Sequence, residues 1–131
     1  MRVFEGLLAH LIGDFVLQSE WLAAEKVKRW WPAVLHGLLY GLPFLFITRS
    51  LIALALIVGT HIVLDRYRAA KYLVWFRNLL APAGRRPAWA EARTNYGSPR
   101  NVSRGLALGL LIVTDNTVHL SINFVALAWW G

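Results

Sequence analysis

The sequence contains no cysteine, so the chain forms no disulfide and offers no thiolate to a metal ion. Any metal that it binds must therefore be held by nitrogen and oxygen atoms. Charged residues make up only 16% of the chain, and the 7 acidic residues are outnumbered by 14 basic ones. A glycine-rich phosphate loop, a Gly-x-Ser-x-Gly elbow and a His-Glu-x-x-His pair are also missing. These absences exclude the commonest nucleotide-binding, serine-hydrolase and zinc-protease signatures.

The chain is instead rich in apolar residues. Hydrophobic residues account for 57% of the sequence, which is too high a share for a soluble domain of 131 residues. Lys and Arg cluster between the apolar runs, as is typical of the ends of membrane spans, and this argues against nucleic acid as a partner. The first apolar run lacks a clear signal-peptide cleavage site, so we interpret it as a retained helix. The sequence predicts an integral membrane protein whose partners are membrane lipids.

The apolar runs and the helix breakers between them predict an all-α fold. We expect a single domain over residues 1–131, a polytopic bundle of about four short transmembrane helices with amphipathic extensions at the membrane surface. The predicted helices cover residues 3–22, with a possible break capped by Ser19, and residues 33–48, 51–77 and 105–130. The second and third have apolar parts of about 15 residues, so snorkelling side chains or local bilayer thinning must complete those spans.

The basic residues also predict an orientation. In a four-span arrangement, every Lys and Arg except Arg2 and Arg49 falls on one side, together with the polar loop over residues 81–104. The positive-inside rule places that side in the cytoplasm and both termini outside it. The predicted location is therefore the inner (cytoplasmic) membrane, which the chain would cross several times.

All the histidines and aspartates lie in or beside apolar runs. Three pairs have a spacing of four residues and one histidine stands alone: His10 with Asp14, His61 with Asp65, Asp115 with His119, and His36. Residues four apart share one face of a helix, and ionisable side chains inside a membrane normally face the bundle interior and a partner. We therefore expect these side chains to converge in the cytoplasmic half of the bundle.

Imidazoles and carboxylates that point inward from several helices are typical metal ligands. The sequence thus predicts a site for one or two divalent transition-metal ions, Zn, Mn or Fe, with the ligands His10, Asp14, His36, His61, Asp65, Asp115 and His119. Asp14 or Asp115 would act as the catalytic base toward water, and Arg66 and Arg68 would bind an anionic headgroup. The corresponding activity is the hydrolysis of a lipid or lipid-linked phosphoester.

The same residues suit other functions. They fit a channel or carrier that relays protons or binds a cation, and they fit a structural or partner-binding membrane protein. A haem held by two histidines is a further interpretation, although the pairing of His with Asp argues against it. The small-residue spacings Gly37/Gly41 and Gly105/Gly109 indicate a homodimer that completes the bundle.

Three blocks of the chain resemble a known family. They are His10-Leu-Ile-Gly-Asp14-Phe-Val-Leu-Gln18, His61-x-x-x-Asp65-Arg66-Tyr67-Arg68 and Asp115-Asn116-Thr117-Val118-His119. They are similar to the recurring blocks of domain of unknown function 3307, found in small bacterial and phage membrane proteins, and the family name implies no activity. More loosely, the residue types and the topology resemble inner-membrane metal-dependent hydrolases, a likeness that favours hydrolysis but assigns no role to any residue.

Overall fold

The computed structural model describes residues 2–131, which are entirely helical or irregular, so the all-α prediction is confirmed for this part of the chain. The helices are α1 (Val3–Leu11), α2 (Glu20–Glu25), α3 (Trp30–Gly41), α4 (Leu51–Tyr67), α5 (Ala70–Asn78), α6 (Trp89–Ala92) and α7 (Arg104–Trp130). A π-helical turn, Ile12–Val16, continues α1, and 3-10 turns form at Leu42–Phe46 and Ala83–Arg85. Residue 1 of the predicted domain lies outside the described residues.

The structure groups the described residues into two compact units, where the sequence predicts one domain. Residues 2–68 and 119–131 form the first unit, and residues 69–118 form the second. The first unit contains all four histidines and two of the three aspartates. The candidate site therefore lies within this unit.

The predicted helix over residues 3–22 consists of three pieces. α1 passes into the π-helical turn, the backbone then becomes extended at Ser19, and α2 begins at Glu20. The Ser19 hydroxyl oxygen accepts a hydrogen bond from the Leu22 backbone N–H at 3.2 Å, which confirms Ser19 as the N-cap of α2. The break turns the following residues out of the line of α1.

The predicted helix over residues 51–77 is two helices, α4 and α5. Arg68 takes a left-handed backbone conformation, with φ of 46°, and this ends α4. The sequence contains no glycine or proline at this point, and for that reason the break could not be predicted. The predicted helix over residues 33–48 starts earlier, at Trp30, because Pro32 fits the first turn of a helix. It changes to 3-10 geometry at Leu42, next to Pro43.

Among the helices of residues 2–131, α7 alone is long and apolar enough to cross a membrane by the criteria of length and composition. It has 27 residues and coincides within one residue with the predicted helix over 105–130. α1, α3 and α4 have 9, 12 and 17 residues, fewer than the roughly 20 of an ordinary membrane-spanning helix.

The first unit is polar inside and apolar outside. Its four histidines are at most 1% exposed, whereas Phe46 is 89%, Leu51 81% and Phe4 72% exposed. Five of its buried apolar residues form a small cluster: Ala9, Tyr40, Phe44, Ile57 and Ala126. This distribution is the reverse of that found in soluble domains, which bury apolar side chains and expose charged ones.

Two glycines of α3 allow it to pack closely against α4. A Cβ atom at Gly37 would overlap the side chain of Ile62, and one at Gly41 would lie 2.6 Å from Val58 Cγ2. The Gly37/Gly41 spacing, interpreted from the sequence as a dimer contact, therefore faces a helix of the same chain. Gly105 and Gly109 have nothing within 4 Å of such a Cβ atom, so the predicted homodimer rests on that pair.

Candidate metal centre

Four ionisable side chains of the first unit come together at its centre. Asp14 is placed by the π-helical turn, His36 by α3, and His61 and Asp65 by adjacent turns of α4. All four are buried, with exposures of 7%, 0%, 0% and 5% in that order. The structure thus brings together four of the seven predicted ligands, and it does so from three separate segments.

The reactive atoms of these four residues are almost equally spaced. The Nε2 atoms of His36 and His61 are 2.9 Å apart. His36 Nε2 lies 3.2 Å from Asp14 Oδ1 and 3.2 Å from Asp65 Oδ2. His61 Nε2 lies 3.3 Å and 3.1 Å from the same two oxygens. These four atoms, which we call the His2Asp2 centre, are joined by five separations of 2.9–3.3 Å.

The size of the His2Asp2 centre fits one metal ion. Zinc bonds to imidazole nitrogen and carboxylate oxygen of about 2.0–2.2 Å imply ligand–ligand separations of about 3.3–3.6 Å in a tetrahedral site. The observed separations are 2.9–3.3 Å. Outward shifts of a few tenths of an ångström would therefore admit an ion.

The short contact between His36 and His61 limits the protonation states that the two rings can adopt. Two imidazole lone pairs at 2.9 Å repel each other unless a proton or an ion lies between them. The Nδ1 atoms of His36 and His61 are buried and have no hydrogen-bond partner among the described residues. The centre is therefore consistent with a shared proton or with a bound ion, and these two states differ in where the ring protons are.

Two further histidines contact the outer oxygens of the carboxylates. His10 Nδ1 lies 3.7 Å from Asp14 Oδ2, and His119 Nε2 lies 3.6 Å from Asp65 Oδ1. These histidines lie beside the carboxylates and stand outside the group of four atoms. Asp115, the remaining predicted ligand, is half-buried on α7 one turn before His119 and belongs to the second unit.

Tyr40 completes the buried network, and the sequence interpretation missed it. Its hydroxyl oxygen is 2.8 Å from His10 Nδ1 and accepts a hydrogen bond from Asn123 Nδ2 at 2.5 Å. Its ring stacks on that of His61, with centroids 3.6 Å apart. A signal was present, because Tyr40 follows His36 by four residues, the spacing that identified the His–Asp pairs.

Lys26 is a second residue that the sequence interpretation missed. Its Nζ atom is 2.6 Å from Asp65 Oδ2 and 3.3 Å from His36 Nε2, and its side chain is 15% exposed. Its neighbours Lys28 and Arg29 pair with Glu25 instead, and the hydrogen bonds from Arg29 and Lys28 lower the pKa of that carboxyl. Lys26 neutralises one of two buried carboxylates, so the pair still attracts a cation.

The two arginines predicted to bind a headgroup, Arg66 and Arg68, differ in their surroundings. Arg66 Nη1 donates to the Val27 carbonyl oxygen at 2.7 Å, and its guanidinium lies 5.4 Å from the centre of the Trp30 ring. These contacts hold the connection between α2 and α3 against α4. Arg68 is exposed at the end of α4. Headgroup binding stays a prediction for both residues.

Comparison with known proteins identifies the family of the chain and nothing more specific. No curated protein and no solved structure matches it, so the looser resemblance to metal-dependent hydrolases finds no support. The family model described as "Protein of unknown function (DUF3307)" matches residues 3–128, a span that includes every residue of the His2Asp2 centre and its surroundings. The chain therefore belongs to the DUF3307 family.

Proposed function

We propose that this protein binds one divalent transition-metal ion in the His2Asp2 centre, inside a helical bundle of the bacterial inner membrane. The observation that carries the proposal is the convergence of two imidazole nitrogens and two carboxylate oxygens of buried residues, with five separations of 2.9–3.3 Å among them. Asp14 and Asp65 together would balance the charge of a divalent cation once Lys26 Nζ has left Asp65 Oδ2.

The ligand set favours zinc over the other candidate metals. Zinc accepts imidazole and carboxylate ligands and is usually tetrahedral in proteins, whereas manganese and iron more often have higher coordination numbers. His10 and His119 contact the carboxylates from outside, as the supporting residues of metal sites commonly do. We therefore assign the site to one ion and these two histidines to its support.

The apolar exterior of the first unit supports the membrane location. Side chains such as Phe46, Leu51 and Phe4 would be in contact with lipid, and the buried polar centre would be shielded from it. We propose that the chain crosses the membrane four times, with both termini outside the cytoplasm and residues 81–104 inside. The short helices α1, α3 and α4 would require local thinning or snorkelling.

We further propose that the bound ion serves the hydrolysis of a lipid phosphoester. A bound zinc ion would lower the pKa of water and polarise the phosphoester, and one of the two carboxylates would then act as the base toward that water. We assign this role to Asp14, because it lies on a π-helical turn and such turns are frequent at functional sites. Water would supply the attacking oxygen, and Asp14 would accept its proton and pass it to the departing alcohol as the P–O bond breaks.

A second candidate function, proton or cation transfer, is supported by the continuity of the polar network. Lys26, Asp65, His36 and Asp14 lie within 3.3 Å of a neighbour in that order, and His61 bridges the two carboxylates. Chains of this kind relay protons in membrane proteins. In that case the centre would work without a metal.

Metal analysis of the protein purified in detergent separates these functions. We expect about one equivalent of zinc in the wild type and less than about a tenth in His36→Gln/Asp14→Asn. Glu20→Gln, which removes an exposed carboxylate on α2, should retain the ion and is the matched control. A folded wild type without metal after zinc addition would overturn the metal proposal.

The same preparations then test the proposed activity. Release of phosphate or of a phosphorylated headgroup from vesicles by the zinc-loaded wild type, and not by the double variant, supports hydrolysis. Proton flux across liposomes that persists without metal supports transfer instead. Bound zinc with neither activity would leave the ion with a purely structural role.

A further inference from the structure

The second unit has a basic cleft of its own, and no histidine lines it. It has a volume of about 760 Å³ and lies between the end of α5, the turn Ala83–Arg85, α6 and the segment that follows α6. Its polar lining residues are Asn78, Arg85, Arg86, Glu91, Arg100 and Asn101. Three arginines against one glutamate make it a positively charged cleft, and its volume lies in the range of small-molecule sites.

The walls of the cleft are held by hydrogen bonds and prolines. Arg86 Nε donates to the Ala81 carbonyl oxygen at 2.8 Å, and the Arg100 backbone N–H donates to Glu91 Oε1 at 2.8 Å. Pro87, which is buried, accepts a hydrogen bond at its carbonyl oxygen from Trp75 Nε1 at 3.1 Å. Pro82 and Pro99 also line the cleft, so three fixed φ angles limit its flexibility.

The cleft has donors that the protein itself does not use. The guanidinium groups of Arg85 and Arg100 make no hydrogen bond or ion pair with residues 2–131, and both side chains are exposed. The bond from Arg86 uses only its Nε atom. Glu91 uses one carboxylate oxygen to fix the Arg100 backbone, so it contributes to the shape of the cleft as well as to its charge.

We propose that this cleft binds a phosphate group carried either by a lipid headgroup or by a small soluble phosphate ester. The planar fork of an arginine matches two phosphate oxygens, and three such forks around one cleft allow several charge-assisted hydrogen bonds. The amide groups of Asn78 and Asn101 add neutral donors, and the second oxygen of Glu91 can accept from a hydroxyl of the ligand. The proposal does not depend on the metal centre.

The test compares two double variants of the full chain that lose the same charge. Arg85→Gln/Arg100→Gln removes two arginines of the cleft, and Arg93→Gln/Arg104→Gln removes two exposed arginines of the same unit that do not line it. Calorimetry with glycerol 3-phosphate measures the soluble ester. Native mass spectrometry from nanodiscs with phosphatidylglycerol or with phosphatidylcholine alone measures the lipid.

We expect the cleft variant to bind at least about tenfold more weakly and the control variant to stay within about twofold of the wild type. Binding of glycerol 3-phosphate in detergent identifies a soluble ester as the ligand. Retention of phosphatidylglycerol without binding of glycerol 3-phosphate identifies a lipid headgroup. Arg85→Lys keeps the charge but not the fork, so it should also weaken binding. The proposal is overturned if neither probe binds the wild type or if both double variants lose affinity equally.

Discussion

Tyr40 and His61 stack face to face, with ring planes only 6° apart and centroids separated by 3.6 Å. Because Tyr40 is fully buried and its hydroxyl is hydrogen-bonded, this contact fixes the plane of the imidazole. His61 Nε2 is thereby held at 3.1–3.3 Å from both carboxylates. Tyr40 is thus a positioning residue of the His2Asp2 centre.

Tyr40→Phe should separate the contribution of the Tyr40 ring from that of its hydroxyl. The ring and its stacking remain, but His10 and Asn123 lose a buried partner, which costs about 1–3 kcal/mol of unfolding free energy. Zinc binding should change little. Tyr40→Ala removes the stacking as well and should weaken zinc binding by about tenfold or more. Chemical denaturation in detergent and competition with a zinc chelator measure the two effects. Equal zinc affinity in Tyr40→Ala and the wild type would contradict the positioning role.

Lys26→Met should increase the affinity for the metal and lower the stability of the metal-free protein. The ammonium at 2.6 Å from Asp65 Oδ2 competes with a cation for that oxygen, so its removal favours the ion by about tenfold or more. Without metal, a buried carboxylate loses its partner, and the unfolding free energy should fall by about 3 kcal/mol.

The control for this prediction is Lys28→Met. Lys28 pairs with Glu25, and its side chain is 63% exposed, so its loss should change stability by less than about 1 kcal/mol. If Lys26→Met and Lys28→Met had the same zinc affinity, Lys26 would not compete with the ion.

Zinc should move the ring protons of His36 and His61. A metal bound at Nε2 requires the proton at Nδ1, the atom that has no partner in either ring among the described residues. Nitrogen-15 chemical shifts of labelled histidine should therefore show both rings as the Nδ1–H tautomer after zinc addition. Shifts that stay the same at saturating zinc would contradict ligation through Nε2.

Gly37→Ala should distort the His2Asp2 centre, although Gly37 is not one of its residues. The added Cβ would overlap Ile62 and push α3 away from α4, so the cost in unfolding free energy should be about 1–3 kcal/mol. Zinc affinity should fall too, because the movement separates His36 from His61. Gly109→Ala places the same methyl group in open space on α7 and should be neutral or stabilising by up to about 1 kcal/mol. The same loss in both variants would point to a general effect of helix composition.

The absence of cysteine makes the proposed topology directly testable. Arg49→Cys and Gly84→Cys each introduce a unique thiol at an exposed position. In intact cells, a membrane-impermeant maleimide should label the first and reach the second only after permeabilisation. Removing Arg49 leaves the positive-inside bias unchanged in sign, so the substitution should not reverse the orientation. Labelling of both thiols in intact cells would exclude the four-span arrangement.

The sequence predicted those parts of the centre that depend on local geometry. The four-residue spacing of His61 and Asp65 is a property of one helix, and burial of charged groups follows from the apolar sequence around them. Lys26 approaches Asp65 across 39 residues of chain, and only the packing of α2 on the bundle brings the two together. The break at Arg68 was equally hidden, because a left-handed arginine depends on the contacts of the folded chain.

The π-helical turn Ile12–Val16 requires a fixed number of residues in this stretch but leaves the identity of its exposed residues free. Such a turn contains one residue more than an α-helical turn, and removing it would restore α geometry and rotate everything beyond it by about 100°. Asp14 would then change its direction relative to His10, and Ser19, α2 and Lys26 would rotate with it. Apolar substitutions on the exposed side of this stretch should therefore be tolerated, whereas an insertion or a deletion of one residue should dismantle the centre.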